Sequence, residues 1–455
     1  METADTICAI STPPGEGGIG IIRMSGRLAH AILKTIFVSK KKQEEFLSRK
    51  LYLGHIVNPE NNKTIDEVFA VFMKAPDTYT KEDIAEVYSH GGYAAQKNIL
   101  TLTMQQGARL ADPGEFTKRA FLNGRIDLLQ AESVLDIIRS ETDEELSNAI
   151  EHLSGTLSGK LNHIKENIKR ALAEIEALID FPEEDIEIDE KRIFSTLKQA
   201  RQDIKKLIKS YYEGKAIRQG FEVLILGKPN VGKSSLLNAL LLKERAIVTP
   251  MPGTTRDLIE DMIHIKGVRI RIIDTAGMRT PTNVAEEAGI EKVRQKIPKA
   301  DLIIWVLDSS GQYTGEDEEI YNSIIAKRKI TVLNKIDLPG MVDAAALQSK
   351  GLQLRDISAL KDTGLEQLKN DIYEKLMERG AKDSGVLITN VRHRDALRKT
   401  LDTLEQAITC KKTNEPLEII AFELRQSLFH LGEITGETCP DDILHSIFDR
   451  FCIGK

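Results

Sequence analysis

The chain is short of the features that mark a metal-stapled, secreted or membrane protein. Its 455 residues hold four cysteines, Cys8, Cys410, Cys439 and Cys452. No two of them stand in C-x-x-C spacing, so neither a zinc site nor a disulfide framework is expected, and a reducing compartment is the simpler setting. No apolar run reaches the ~18 residues of a membrane-spanning helix. The opening Met1-Glu2-Thr3-Ala4-Asp5 is acidic where a secretory or mitochondrial leader would be basic. We expect a bacterial cytoplasmic protein with no membrane attachment. A basic excess is missing too: 63 Lys+Arg against 69 Asp+Glu give a formal net charge of −6. That argues against a surface gripping nucleic acid all over and leaves any RNA contact to a local basic patch or to a partner.

What is present is an ordinary globular composition, 41% apolar and 29% charged, over a length that suggests about three domains. The most informative stretch is Gly227-Lys228-Pro229-Asn230-Val231-Gly232-Lys233-Ser234. It meets G-x-x-x-x-G-K-[ST] directly after the apolar run Phe221 to Leu226 and before the helix-like Ser235 to Leu240. Strand, phosphate loop and helix follow one another. In such a loop the glycines let backbone N–H groups turn toward a β-phosphate, Lys233 reaches the β/γ oxygens, and the Ser234 hydroxyl ligates Mg²⁺.

Downstream residues select the nucleotide. Asp274-Thr275-Ala276-Gly277 ends the run Ile270 to Ile273, placing a carboxylate near the metal and a flexible glycine near the γ-phosphate. Asn334-Lys335-Ile336-Asp337 follows the strand-like Ile330 to Leu333. The Asp337 carboxylate can accept from N1 and the exocyclic amine of guanine, a donor pair that adenine lacks, so GTP is favoured over ATP. Ser358-Ala359 is spaced for a loop whose backbone meets guanine O6, with Leu360 where a lysine often stands. N-K-x-D alone is equally a turn between strands; the motifs in this order are what carry the reading.

Three regimes organise the chain. Residues 1–118 mix short β-rich runs (Ile7 to Ile10, Ile19 to Met24, Glu67 to Met73, Ile84 to Tyr88) with Gly/Pro turns, which predicts an α+β domain. Residues 119–217 turn helical: Leu157, Leu161, Ile164, Ile168, Ala171, Ile175 and Leu178 place one apolar stripe on a long helix that Phe181-Pro182 ends. Residues 218–378 alternate strands and helices, as a mostly parallel sheet requires. Helical spacing resumes over 379–455, at Leu397, Leu401, Leu404 and Ile408 and at Leu424, Leu428 and Leu431. The expected fold class is multidomain α/β: an α+β domain, a helical domain in two discontinuous segments, and an inserted Ras-like P-loop domain, joined through the polar, Gly-containing Glu213 to Gly220 and Arg379 to Gly385. Four consecutive domains are the alternative.

Further tracts give the chain a family likeness: Asp5-Thr6-Ile7, Pro13 to Gly20, His90-Gly91-Gly92, Pro113 to Asn123, Gly253-Thr254-Thr255-Arg256-Asp257, and the terminal Phe451-Cys452-Ile453-Gly454-Lys455. With them the chain resembles, over nearly its whole length, the tRNA wobble-uridine modification GTPases of the TrmE/MnmE family. The resemblance implies a GTP-hydrolysing subunit that works with an FAD-dependent GidA/MnmG-family partner. Together they add an aminomethyl or carboxymethylaminomethyl group at carbon 5 of the tRNA wobble uridine. It also implies a tetrahydrofolate derivative as one-carbon donor, bound by an N-terminal domain that dimerises. The folate contacts carried over are Arg23, Glu86, Arg125 and Lys455, each of which is equally a surface charge on sequence alone. The nucleotide set becomes Gly227, Asn230, Val231, Gly232, Lys233, Ser234, Ser235, Thr249, Thr254, Thr255, Asp274, Gly277, Asn334, Lys335, Asp337, Ser358 and Ala359.

Two absences shape the expected chemistry. The residue after D-x-x-G, where Ras-like enzymes carry a water-orienting glutamine, is Met278. The resemblance points to Glu286 for that task, with Glu287 adjacent. No arginine finger is evident, and the family meets the charge on the phosphates with K⁺, held by Asn230 and by a loop closing between two nucleotide domains. Here that loop is Ala246 to Thr254, with Thr249, Met251 and Thr254 as ligands; Pro250 and Pro252 remove donors and leave carbonyls for a cation. Thr255 would join Ser234 on Mg²⁺. Cys452, first of the last four residues, is a candidate thiol for the folate and tRNA site, or a packing residue. Two rivals stay open: an RNA-binding ribosome-assembly GTPase without modification chemistry, though no G-x-x-G module is evident after residue 380, and a membrane-remodelling GTPase, though no lipid-binding stretch is seen.

Overall fold

The computed structural model describes residues 5–41, 46–181, 189–244, 261–266, 268–274, 296–298, 300–377 and 387–455. It divides into two compact units. Met1–Arg139, Ala149–Ala200 and Lys399–Lys455 make the first, Ser140–Asn148 and Arg201–Arg398 the second.

The first unit opens on a seven-stranded sheet of β1 (Ile7–Ile10), β2 (Gly20–Ser25), β3 (Phe37–Ser39), β4 (Leu51–Val57), β5 (Thr64–Met73), β6 (Ile84–Ser89) and β7 (Arg109–Leu110). Their order is β3-β4-β5-β6-β2-β1-β7, antiparallel throughout except for the parallel pair β1 and β7. Period-two alternation puts Ile22, Met24, Val68, Ala70, Phe72, Ala85 and Val87 on one face. There they pack with Ile32, Leu33 and Ile36 of the helix Ala29–Ile36 and with Ile99 and Leu102 of the helix Tyr93–Gln105. Each of the Val, Ile, Leu, Met and Phe side chains among them contributes about 1.5–3 kcal/mol on full burial.

The helical part of this unit follows the stripe read from the sequence. In the helix Thr156–Asp180 the buried positions include Leu157, Leu161, Ile164, Ile168, Ala171 and Ile175, with Leu178 half-buried. The helix Leu417–Thr435 stops at Gly436, whose φ of 94° suits the left-handed cap. Beyond the helix Asp441–Phe448, the last residues return to the sheet. Phe448 and Phe451 pack against Ala120 and Leu128, and Pro113 forms an antiparallel bridge with Ile453. Phe116 N donates to the Lys455 carbonyl at 3.1 Å, and Ser11 Oγ donates to the Gly454 carbonyl at 3.1 Å. Gly454 has φ 94° and a Cβ there would collide with the Ile10 carbonyl, so the C-I-G-K terminus is shaped to dock.

The helix Glu115–Leu122 carries a buried charge cluster. Arg119, 1% exposed, donates to Glu115 Oε1 at 2.9 Å, to Asp5 Oδ1 at 2.8 Å and to Glu82 at 3.3 Å. Arg109 adds a fork onto Glu115 at 2.7 and 3.0 Å. Burial alone would raise the Glu115 and Asp5 pKa values, but the hydrogen bonds and charges of Arg109 and Arg119 hold both below the ordinary range.

The second unit is built on a six-stranded sheet of β8 (Phe221–Leu226), β9 (Asp261–Ile265), β10 (Val268–Asp274), β11 (Leu302–Asp308), β12 (Lys329–Asn334) and β13 (Leu354–Asp356). The order is β13-β12-β11-β8-β10-β9, parallel except for the antiparallel edge β9. Such strands are buried on both faces and read as continuous apolar runs. Val223 and Ile225 lie in one core with Leu236, Leu240, Leu365, Leu368 and Ile372. Leu224 and Leu226 lie in the other with Ile303, Trp305, Leu307, Ile324 and Leu347. The multidomain α/β class and the mostly parallel sheet are thus as expected.

One local expectation differs. Glu213 to Gln219, read as part of a joint, are the last turns of the helix Glu190–Gln219. Gly214 is there because a Cβ would collide with the Ile388 carbonyl, a packing requirement that resembles a flexible joint in sequence. Arg379 to Gly385 lie outside the described residues, which omit 378–386. Among the described residues no helix is long and apolar enough to cross a membrane.

Candidate functional site

The order of the second sheet reverses at β8, which has β10 on one side and β11 on the other. In an open α/β sheet, ligands bind in the crevice outside the carboxyl ends of the strands at such a point. Gly227 to Lys233 is the turn at that end. Gly227 has φ 151° and a Cβ would collide with the Val306 carbonyl of β11. Gly232 has φ 95° and a Cβ would collide with the Asn334 amide. Both glycines are therefore required, one by strand contact and one by the second motif. Asn230 takes φ 64°, a left-handed conformation that asparagine tolerates better than most residues. The helix Lys233–Glu244 then begins, its N-terminal N–H groups suited to an anion. Ser234 and Ser235 are exposed at that end and Val231 is buried beneath it. Lys233 Nζ donates to the carbonyls of Gly227 and Lys228, both at 2.7 Å.

The N-K-x-D segment is physically joined to this loop. Asn334, 2% exposed at the end of β12, donates from Nδ2 to the Val231 carbonyl at 2.9 Å and accepts at Oδ1 from Ala359 N at 3.1 Å. One side chain ties the phosphate loop to the Ser358-Ala359 turn. Lys335, at φ 68°, donates to the Asn230 carbonyl at 2.8 Å and pairs with Asp308 Oδ2 at 2.5 Å. Burial would raise the Asp308 pKa, but the bonds from Lys335 and Ser310 hold it below its usual value.

Asp337 accepts from Ser358 Oγ at 2.7 Å. That bond leads the causes that keep its carboxyl below the usual aspartate value, so it presents an ionised acceptor. Ser358 is itself fixed by a reciprocal backbone pair with Thr363, at 3.0 and 3.1 Å. Leu360, at the position where a lysine is common, points to solvent. Asp274 ends β10 opposite Ile225 of β8, at the same edge as the loop. Thr249, Met251, Thr254, Thr255, Gly277 and Glu286 lie outside the described residues.

The four residues carried over as folate contacts converge in the first unit. Arg23 Nε donates to Glu86 Oε1 at 2.7 Å, and Tyr88 OH donates to Glu86 Oε2 at 2.6 Å. Burial first, and the Glu86 carboxylate second, push the Tyr88 phenol up to about 12. The Arg23 guanidinium lies 5.9 Å from the Tyr79 ring and 5.8 Å from Phe116, and Arg125 lies 4.7 Å from Tyr79. Lys455 reaches the cluster through the bond from Phe116 N to its carbonyl. Cys452 is exposed and its carbonyl accepts from Gly114 N at 3.4 Å. The half-buried Tyr79 ring, flanked by two guanidiniums and one carboxylate, fits a flat, polar-edged ligand carrying acidic groups, while Phe116 is fully buried beneath Arg23.

Sequence reasoning missed several members of these sites. Asp308 showed no spacing signal because its partner Lys335 follows a different strand, and neither did Asp317, whose Oδ2 lies 2.6 Å from Lys228 Nζ of the phosphate loop. Tyr79 stands in the polar loop Asp77-Thr78-Tyr79-Thr80, where an aromatic is the sole cue.

Known proteins share these features along the chain. The GTP-binding protein TrmE N-terminus family matches residues 6–125, and the MnmE helical domain family matches residues 128–452. A tRNA modification GTPase MnmE of Thermoanaerobacter pseudethanolicus is 46% identical, covering 99% of both chains. That of Geobacter metallireducens is 44% identical over the full length of both. Among solved structures, Era from Aquifex aeolicus, crystallised with GDP and aluminium fluoride, is 32% identical over 40% of this chain and 66% of its own at a TM-score of 0.28. The G domain of the T. maritima FeoB iron transporter is 29% identical over 35% of this chain and 99% of its own at 0.26. The fold assignment rests on the sheet order and not on these two structures. Matched over residues 6–125 and 128–452 by the two families and along its length by relatives 44–46% identical, the chain belongs to the MnmE (TrmE) family of tRNA modification GTPases.

Proposed function

We propose that the chain binds and hydrolyses GTP at the carboxyl edge of the second sheet, and that it serves modification of carbon 5 of the tRNA wobble uridine. The observation that carries the GTP reading is Asn334. Its amide joins the phosphate loop to the Ser358-Ala359 turn, so recognition of phosphates and of guanine is built as one unit. Domain limits at 118/119, 217/218 and 378/379 are part of the same proposal, as are the homodimer and the FAD-dependent GidA/MnmG-family partner.

The residues present suit the groups this chemistry needs. Ser234 at the helix start and Thr255 are the proposed Mg²⁺ ligands, and the metal would supply charge neutralisation at the phosphates. Asn230, Thr249, Met251 and Thr254 are the proposed K⁺ ligands, and Glu286 the residue that orients water. Arg23, Glu86, Arg125 and Lys455 would hold the tetrahydrofolate derivative beside Tyr79, and that derivative would supply the one-carbon unit when bound.

A cation site of carbonyls and one amide discriminates by ion size. Steady-state GTP hydrolysis in matched chloride salts is therefore expected to be stimulated by K⁺ and not by Na⁺; equal rates would remove the cation role of Asn230 and the Ala246 to Thr254 loop. A second test addresses the terminus. Cys452→Ser keeps size and polarity but removes the thiol. We expect wild-type GTP turnover together with reduced C5-modified uridine in tRNA from cells carrying the variant. Wild-type modification there would exclude essential thiol chemistry.

A further inference from the structure

The second residue of the phosphate loop has a partner that nucleotide chemistry does not require. Lys228 Nζ lies 2.6 Å from Asp317 Oδ2 and donates to Thr314 Oγ1 at 3.0 Å. Asp317 belongs to the helix Gly315–Ile324, and its side chain is 2% exposed. Its Oδ2 also accepts from Thr314 N at 2.9 Å, closing the capping box. Its Oδ1 is buried and finds no hydrogen-bond partner among the described residues. A buried, half-satisfied carboxylate is tolerated only beside a compensating charge, and the phosphate loop provides one.

The backbone of the same residue does a second task. The carbonyls of Gly227 and Lys228 receive the ammonium of Lys233. Lys228 precedes Pro229, and the proline ring confines the preceding residue to extended conformations. The side-chain anchor and the direction of the Lys228 carbonyl are thereby coupled through one stiff unit.

We propose that Lys228 is a positioning residue for GTP. Its pair with Asp317 fixes the two carbonyls, and with them the place of the Lys233 ammonium, before the triphosphate arrives. It acts through Lys233 and not on the phosphates. This deepens the GTP reading and rests on it. Wild-type GTP binding tests the site itself; the variants below test the anchor.

Asp317 separates the proposal from its rival, in which Lys228 attracts phosphates by its own charge. If the pair positions the loop, Lys228→Met and Asp317→Asn act in the same direction, because the first removes the pair and the second removes the charge that makes it an ion pair. If Lys228 attracts phosphate directly, Asp317→Asn removes a competing negative charge and binding is unchanged or tighter.

The experiment uses the full-length protein with GTP, Mg²⁺ and K⁺, and measures steady-state kinetics with fluorescent-nucleotide binding. Both single variants are expected to raise Kd and KM roughly three- to thirtyfold, and the double variant no more than either single one, as for residues in one interacting unit. At saturation kcat stays near wild type, because the lost interaction is already made in the bound ground state. Lys228→Arg, which keeps the ion pair, restores KM. Should Lys228→Met not fold, Asp317→Asn, which keeps an oxygen for the cap, carries the test alone. Wild-type KM in Asp317→Asn, or additive losses in the double variant, would overturn the proposal.

Discussion

Asp337→Asn is expected to weaken GTP binding roughly ten- to a hundredfold, because one acceptor of a charge-assisted pair is replaced by a donor. The same change fits xanthine, whose 2-carbonyl accepts from the new amide, so XTP should become the better competitor while ATP stays excluded. The structure supports a local effect. Asp337 is held by Ser358 Oγ at 2.7 Å, a contact asparagine keeps through Oδ1, so the turn need not collapse. Competition of GTP, XTP and ATP against a fluorescent guanine nucleotide measures it. Unchanged preference for GTP would end the guanine assignment at this residue.

Arg119→Ala is expected to destabilise the first unit by about 3–5 kcal/mol, the usual cost of removing one partner from a buried ionic cluster. Its thermal transition should fall by on the order of 10 °C. Glu115, Glu82 and Asp5 would each lose the contact with the Arg119 guanidinium, and Glu115 and Asp5 would keep only that of Arg109. The effect has a defined pH dependence. Glu115 and Asp5 have pKa values below their ordinary 4.5 and 3.8 in the folded protein. Their contribution is therefore fully present above those ordinary values and is lost as pH falls through the lowered folded values. The gap between wild type and variant should be wide at neutral pH and close as the solution is acidified below about 4. Thermal unfolding of both proteins across that range reads the gap. A gap that widens in acid would contradict the assigned charges.

The legible parts of the sequence were those whose meaning is local. The G-x-x-x-x-G-K-S spacing placed the phosphate loop because each glycine meets a specific obstacle, the Val306 carbonyl for Gly227 and the Asn334 amide for Gly232. The apolar runs became strands because a parallel sheet buries both faces, and the stripe Leu157 to Ile175 became the buried face of one helix. What was not legible depends on meetings between distant segments. Lys335 meets Asp308, Lys228 meets Asp317, and Tyr79 meets Arg23 and Arg125, with no periodicity linking any of these pairs. The misread joint is of the same kind. Gly214 sits inside a helix for the sake of Ile388, more than a hundred and seventy residues away, and a single sequence offers no way to distinguish that from a hinge.

The central claim, a GTPase whose purpose is tRNA modification, is tested most directly by mass spectrometry of nucleosides from bulk tRNA of three strains: a deletion, the deletion carrying the wild-type chain, and the deletion carrying Lys233→Ala. The C5-(carboxymethyl)aminomethyl uridines are expected to disappear in the deletion, return with the wild-type chain, and stay absent with Lys233→Ala. Undiminished modified uridine in the deletion strain would contradict it.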